Sequence, residues 1–172
     1  MIGAEIISRT LFILGIRRVY LYPGGTIAPL LEALICDGIE YFCARNEQGA
    51  GYAAIGAAKM TQTPQVVIVT SGPGATNVLS PVADAFYDSI PLLVFTGQVS
   101  VNSINFEKKV RQTGFQETDT VNIFKPVTKH AQVLNFKEDP SFVVSNAFNL
   151  AKEGRPGPVL IDLPMDVQKG EF

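Results

Sequence analysis

Tryptophan is absent from this 172-residue chain, histidine occurs only at His130, and cysteine only at Cys36 and Cys43. Each scarcity removes a class of chemistry. A metal site built from several imidazoles has no ligands. A Ser-His-Asp triad would have to use His130, yet no G-x-S-x-G elbow accompanies it, so His130 reads as structural. The cysteines lie 7 positions apart, which is not a metal-ligand spacing, and one possible disulfide is not a disulfide framework. Their apolar surroundings suggest two buried, reduced thiols in a cytoplasmic protein. No run of about 18 apolar residues occurs, so no membrane span is expected. Glu5 and Arg9 interrupt the first apolar stretch, where a signal peptide would keep it continuous. Neither sign of charge dominates: 14 basic and 16 acidic residues give a net −2. No basic stripe is present to attract nucleic acid or an anionic membrane.

What is present is a sizeable apolar fraction, 47%, at a length suited to one domain. Helical and strand patterns alternate along it. Residues 2–15 place Ala4, Ile7, Leu11 and Leu14 on one helical face, stopping at Gly15. Val19–Tyr22 reads as a strand, 27–37 as a helix with Leu30, Leu31 and Leu34 inward, and Ile39–Cys43 as a second strand. Residues 47–60 form a helix of unusually small residues. Gln65–Thr70 and Pro91–Thr96 are continuous apolar strands, as expected when helices cover both faces of a sheet. Gly74–Tyr87 reads as one helix between them. A polar loop over 97–116, a short helix at 117–123, a strand near Val127–Val133, a helix at 140–152 ending at Gly154, and the strand Val159–Leu163 complete the series. The expectation is a three-layer α/β fold, with about six parallel strands and helices on both faces, flavodoxin-like in outline. Residues 1–163 would form the domain and the more polar 164–172 the start of a linker.

Three loops could carry chemistry, and each lies at or near the carboxyl end of a strand, where open α/β sheets bind ligands. Tyr22-Pro23-Gly24-Gly25-Thr26 permits close backbone approach. It also reads simply as a strand-to-helix turn with Thr26 as the cap. In Arg45-Asn46-Glu47-Gln48-Gly49-Ala50-Gly51, Glu47 opens a helix, where the dipole favours a carboxylate by about 0.3–1 kcal/mol. The small residues that follow allow close packing and could shield Glu47 from water, which would let it share a proton with a ligand nitrogen. They serve equally well as ordinary core. Ser71-Gly72-Pro73-Gly74-Ala75-Thr76-Asn77 could cradle an anion. It has no Gly-Lys-Ser/Thr ending, however, and Asn77 stands where a third glycine of G-x-G-x-x-G would be.

Six segments in order carry a resemblance: YPGG at 22–25, RNEQGAGYA at 45–53, TSGPGATN at 70–77, ADAFYDSIPLLVFTGQV at 83–99, GFQE at 114–117 and GRPGPVLIDLP at 154–164. Together they resemble the pyrimidine-binding domain of thiamine-diphosphate enzymes of the acetolactate synthase family and its decarboxylase and carboligase relatives. The resemblance implies a thiamine-diphosphate-binding fold in which Glu47 is the catalytic glutamate. It would hydrogen-bond the cofactor's pyrimidine N1′ and so promote loss of the thiazolium C2 proton. The resemblance also implies that Tyr22, Pro23, Gly24, Gly25, Pro73, Asn77 and Gln116 contact the cofactor, and that Phe115, Gln116 and Lys129 stand near a small 2-oxo acid such as pyruvate. Lys129 reads equally as a solvated surface lysine.

The chain departs from the family pattern in three places. Asn46 replaces the usual histidine before the glutamate, and Thr113-Gly114 stands where an aspartate commonly precedes the F-Q pair. The G-D-G…N motif that holds diphosphate and Mg²⁺ is missing, as is the domain that carries FAD in some members. No metal ligands are therefore assigned. The expected partners are a pyrophosphate-binding domain of the same or another chain, and a second copy meeting the 47–60 helix face. By itself the chain is expected to be inactive. Alternatives are a separate small subunit of a two-subunit 2-oxo-acid decarboxylase, a phosphate- or nucleotide-binding module without catalysis, and a pure assembly domain.

Overall fold

A computed structural model describes residues 1–105 and 110–172. The polar loop expected over 97–116 therefore includes four positions, 106–109, outside the described residues. Six strands form one sheet: β1 (Arg18–Leu21), β2 (Glu40–Cys43), β3 (Gln65–Val69), β4 (Leu92–Gln98), β5 (His130–Val133) and β6 (Pro158–Pro164). Their order is β2-β1-β3-β4-β6-β5, and every pairing is parallel.

Alternation along the central strands divides the core in two. Val66, Ile68, Leu93, Phe95, Val159 and Ile161 point to one face. They pack there against α1 (Gly3–Ile13), α2 (Ala28–Cys36), α7 (Pro140–Lys152) and α8 (Met165–Lys169). Val67, Val69, Leu92, Val94 and Leu160 point the other way, towards α3 (Glu47–Thr61), α5 (Leu79–Tyr87) and α6 (Thr120–Phe124). The expected layers are present: apolar residues on both sides of β3, β4 and β6 are buried because helices cover both faces.

The helix ends follow local chemistry. α3 starts where the Asn46 side chain accepts from Gly49 N at 2.7 Å, a standard N-cap. α7 starts where Asp139 accepts from Ser141 N at 2.9 Å, with Pro140 in the first turn. The helix expected over Gly74–Tyr87 is instead two: α4 (Pro73–Asn77) and α5, separated at Val78. Pro81 has no N–H to offer the Asn77 carbonyl four residues back, which favours a break there.

The expectation of buried cysteines is corrected: Cys36 and Cys43 are both exposed free thiols. β2 is an edge strand whose four residues, Cys43 among them, are all exposed, and Cys36 ends α2, lining a concavity shared with α1 and α8. Apolar neighbours in sequence do not bury a residue whose strand has a partner on one side only. Thr26 is also not the cap expected of it. Its Oγ1 makes no capping bond to α2 and instead bonds Thr70 Oγ1 at 2.8 Å and accepts from Ser71 N at 3.0 Å. The tail forms α8, with Val167 and Gln168 buried. Gly3 N donates to Gly170 O at 2.9 Å, which ties the tail to the start of α1.

Candidate functional site

The strand order creates the site. From β1 the chain moves outward to β2, then returns across β1 to β3. That reversal is the topological switch at which open α/β sheets bind ligands. Leu21 of β1 lies level with Ile68 of β3 and with Cys43 of β2. The loops that follow the three strands (22–26, 44–46 and 70–72) therefore emerge together at one edge.

Glu47 is the first residue of α3 and is only 8% exposed. Asn77, at the end of α4, donates from Nδ2 to Glu47 Oε2 at 2.6 Å. No other hydrogen bond or ion pair engages Glu47 among the described residues, so Oε1 accepts none. Gly74 lies beside that oxygen: a Cβ built on it would stand 3.2 Å from Oε1 and 2.6 Å from Thr70 Cγ2. Gly24 meets the same threonine, and a Cβ there would fall 2.3 Å from Thr70 Cβ. Two glycines from two loops thus close on Thr70, which the Thr26 hydroxyl holds from the other side. The result is a floor of backbone beneath one free carboxylate oxygen.

The 114–117 segment reaches the same loop. Gly72 has φ +61, and a Cβ on it would lie 2.7 Å from Gln116 Cβ. Gln116 itself has φ +60, a conformation L residues other than Asn and Asp seldom adopt. Glu117 anchors the turn by accepting from Asn105 N, Thr113 N and Gly114 N at 2.8, 2.6 and 3.2 Å. Phe115 is 79% exposed and projects from this turn into solvent.

The structure therefore brings together Gly24, Glu47, Asn77 and Gln116. Tyr22, Pro23, Gly25 and Pro73 lie on the same loops with exposed surfaces. It does not bring Lys129 to them. Lys129 precedes β5 at the opposite edge of the sheet, and its Nζ donates to Leu150 O at 2.6 Å and to Glu153 O. That caps the carbonyl end of α7, where a cation is favoured, and it leaves Lys129 away from the loops at the switch point. His130 is exposed beside it, with Nε2 2.7 Å from Gln132 Oε1. Sequence reasoning missed Thr26, Thr70 and Gly72 as parts of the floor. Thr70 opens the TSGPGATN segment, but nothing local signals a hydroxyl pair spanning 44 positions.

A concavity of about 740 Å³ lies elsewhere, between α1, α2 and α8. Among the described residues no three His, Cys, Asp or Glu side chains are grouped to hold a metal ion, and no helix is long and apolar enough to cross a membrane.

Residues 1–123 match the family described as thiamine pyrophosphate enzyme, N-terminal TPP binding domain. The chain belongs to this family. Among curated proteins, the acetolactate synthase large subunit of Lactococcus lactis subsp. lactis (strain IL1403) is 47% identical over 166 residues, covering 96% of this chain and 28% of that protein. Acetolactate synthase isozyme 3 large subunit of Escherichia coli (strain K12) is 44% identical over 166 residues, with the same shares. The mitochondrial acetolactate synthase catalytic subunit of Saccharomyces cerevisiae (strain ATCC 204508 / S288c) is 43% identical over 166 residues, 96% of this chain and 23% of that protein. The chain thus spans less than a third of the length of these relatives. Its sheet and helices are those of a three-layer α/β thiamine-diphosphate-binding domain.

Proposed function

We propose that this thiamine-diphosphate-binding domain is the pyrimidine-holding half of a carboligase or decarboxylase of the acetolactate synthase type, acting on pyruvate or a related 2-oxo acid. The observation that carries the reading is the Glu47 carboxyl group. It is buried at a switch point, with Oε2 occupied by Asn77 and Oε1 free beside Gly74, which like Gly24 packs so closely on Thr70 that a Cβ would collide with it. A flat, nitrogen-bearing heterocycle suits such a site. Thiamine diphosphate, when bound, supplies an acidic carbon that becomes nucleophilic towards a 2-oxo acid carbonyl.

The chain's own residues then have distinct tasks. Glu47 Oε1 would share a proton with the aminopyrimidine N1′, and its burial would keep water from competing for it. Gly24 and Gly74 allow the ring to approach, while Tyr22, Pro23, Gly25 and Pro73 wall the approach. Phe115 and Gln116 stand on the substrate side. We assign the diphosphate and Mg²⁺ to a complementary domain of the same or another chain, and FAD, if the parent enzyme uses it, to a further domain. The outer face of α3 is the assigned contact with a second copy. It exposes Gly49, Tyr52 and Gly56, and Gly56 has no atom within 4 Å of where its Cβ would be. Two exposed unpaired thiols fit a reducing, cytoplasmic setting.

The test follows pyruvate consumption and acetolactate formation by an assembly of this chain with its complementary domain, loaded with thiamine diphosphate and Mg²⁺. Glu47→Gln is expected to lower turnover by about 10²–10⁴-fold, the range of a lost general acid–base. Turnover unchanged by that substitution would remove Glu47 from the mechanism. A folded, cofactor-loaded assembly that ignores pyruvate would redirect the search to other 2-oxo acids.

A further inference from the structure

We infer that Asn77 is a positioning residue that acts through Glu47. By occupying Oε2 it makes Oε1 the oxygen that shares the proton. The inference deepens the reading of Glu47 given above and rests on it.

Asn77 owes its position to Pro81. Its missing N–H favours a break in the helix after Asn77, so α4 ends there and α5 restarts beyond Val78. Asn77 is thereby a helix-end residue facing the first turn of α3. Its Nδ2 lies 2.6 Å from Glu47 Oε2, short even for a hydrogen bond to an ionised acceptor. With the amide turned the other way, its oxygen would face the carboxylate oxygen, and two acceptors would repel.

The chemistry of the partner matters. No Lys or Arg forms an ion pair with Glu47 among the described residues. A cation at position 77 would hold Glu47 in its charged state, whereas a neutral, non-titrating amide fixes the carboxyl plane and leaves the proton free to move at the other oxygen. Gly74 completes the arrangement. It leaves Oε1 uncovered, because a Cβ there would already stand 3.2 Å away. Asn77, Glu47 and Gly74 thus divide one carboxyl group into a held oxygen and a working oxygen.

The test has two arms. The first uses the chain without cofactor. Isotope-edited infrared spectra, with Glu47→Gln subtracted, isolate the Glu47 carboxyl band. Asn77→Ala and Asn77→Asp are expected to shift it while thermal melting stays cooperative. An unmoved band overturns the inference. The second arm adds the complementary domain, Mg²⁺ and thiamine diphosphate, and follows exchange of the cofactor C2 proton for deuterium by NMR. Asn77→Ala is expected to slow exchange about ten-fold or more, the worth of one hydrogen bond to a charged group. Cofactor affinity should stay within about three-fold, a small energy on the same scale. In Asn77→Asp the rate relative to wild type should rise as pH falls, because the introduced carboxyl group can donate to Oε2 only when protonated. A purely structural defect would depress the rate equally at every pH. Lost affinity with unchanged exchange would make Asn77 a cofactor contact and overturn the inference. If wild type binds no thiamine diphosphate, the functional reading fails and the infrared arm alone decides whether Asn77 holds Glu47.

Discussion

Gly74 and Asp162 show how much single positions carry. At Gly74 a methyl group would come within 2.6 Å of Thr70 Cγ2 and 3.2 Å of Glu47 Oε1. Thr70 cannot easily retreat, since Thr26 Oγ1 holds its hydroxyl at 2.8 Å. Gly74→Ala is therefore expected to cost about 1–3 kcal/mol through overpacking, measured by urea unfolding. It should also weaken thiamine diphosphate binding in the assembled enzyme. A variant as stable as wild type would mean that the α4 start shifts freely. Asp162 is fully buried in β6, its two oxygens accepting from Thr96 Oγ1 at 2.6 Å and Gln98 Nε2 at 2.8 Å. Burial pushes its carboxyl up to about 7, outweighing those two hydrogen bonds, and Asp119 adds a smaller push in the same direction. The folded state thus keeps the proton to higher pH than the unfolded chain does. Its stabilising contribution is complete below the ordinary aspartate range, near pH 4, and is lost as pH rises through about 7, at most about 4 kcal/mol. Urea midpoints should accordingly fall from pH 5 to pH 8 more steeply in wild type than in Asp162→Asn. Equal slopes would show that Asp162 does not titrate in that window.

At the scale of elements, what was readable in the sequence depended on whether the signal was local. α7 emerged with its expected bounds because Asp139, Pro140 and Gly154 mark both ends within the segment. α3 emerged because Asn46 caps it and no residue within it breaks it. The break between α4 and α5 was missed, although Pro81 marks it, because the apolar period runs on through Val78. The exposure of Cys43 was missed for a different reason. Strand order is a property of the whole sheet, and no pattern within Glu40–Cys43 says that β2 lies at its edge. Glu47 was legible as a candidate through motif order, but its partner Asn77, 30 positions away, became its partner only in three dimensions. Gly56 carries this scale's prediction. It sits in the interior of α3 with open space over it, so Gly56→Ala should stabilise the chain by about 0.5–1 kcal/mol through helix propensity alone at dilutions where two copies have separated. Calorimetric melting would show it, and an unchanged or lower midpoint would mean that the surface over α3 is already occupied in solution.

For the molecule as a whole, two uncovered surfaces compete to explain association. One is the outer face of α3, with Tyr52 at 48% exposure between Gly49 and Gly56. The other is the β2 edge, where Ile35, Tyr41 and Phe42 are exposed and the strand pairs with β1 alone among the described residues. Open edges with aromatic residues pair indiscriminately, whereas a helix face of small residues admits one close-packed partner. If the α3 face is the specific contact proposed above, the isolated chain should self-associate with a defined stoichiometry in sedimentation or light scattering. Tyr52→Glu should then abolish that species, since it would bury an unpaired charge at the contact. Tyr41→Lys should leave the stoichiometry intact and reduce only slow aggregation, because it blunts the edge without touching α3. The reverse pattern, with Tyr41→Lys dissolving the defined species and Tyr52→Glu leaving it, would move the interface to the edge of the sheet and free the α3 face for the complementary domain. A chain that stays monomeric across the accessible concentrations would leave both surfaces to that domain and count against contact between two copies.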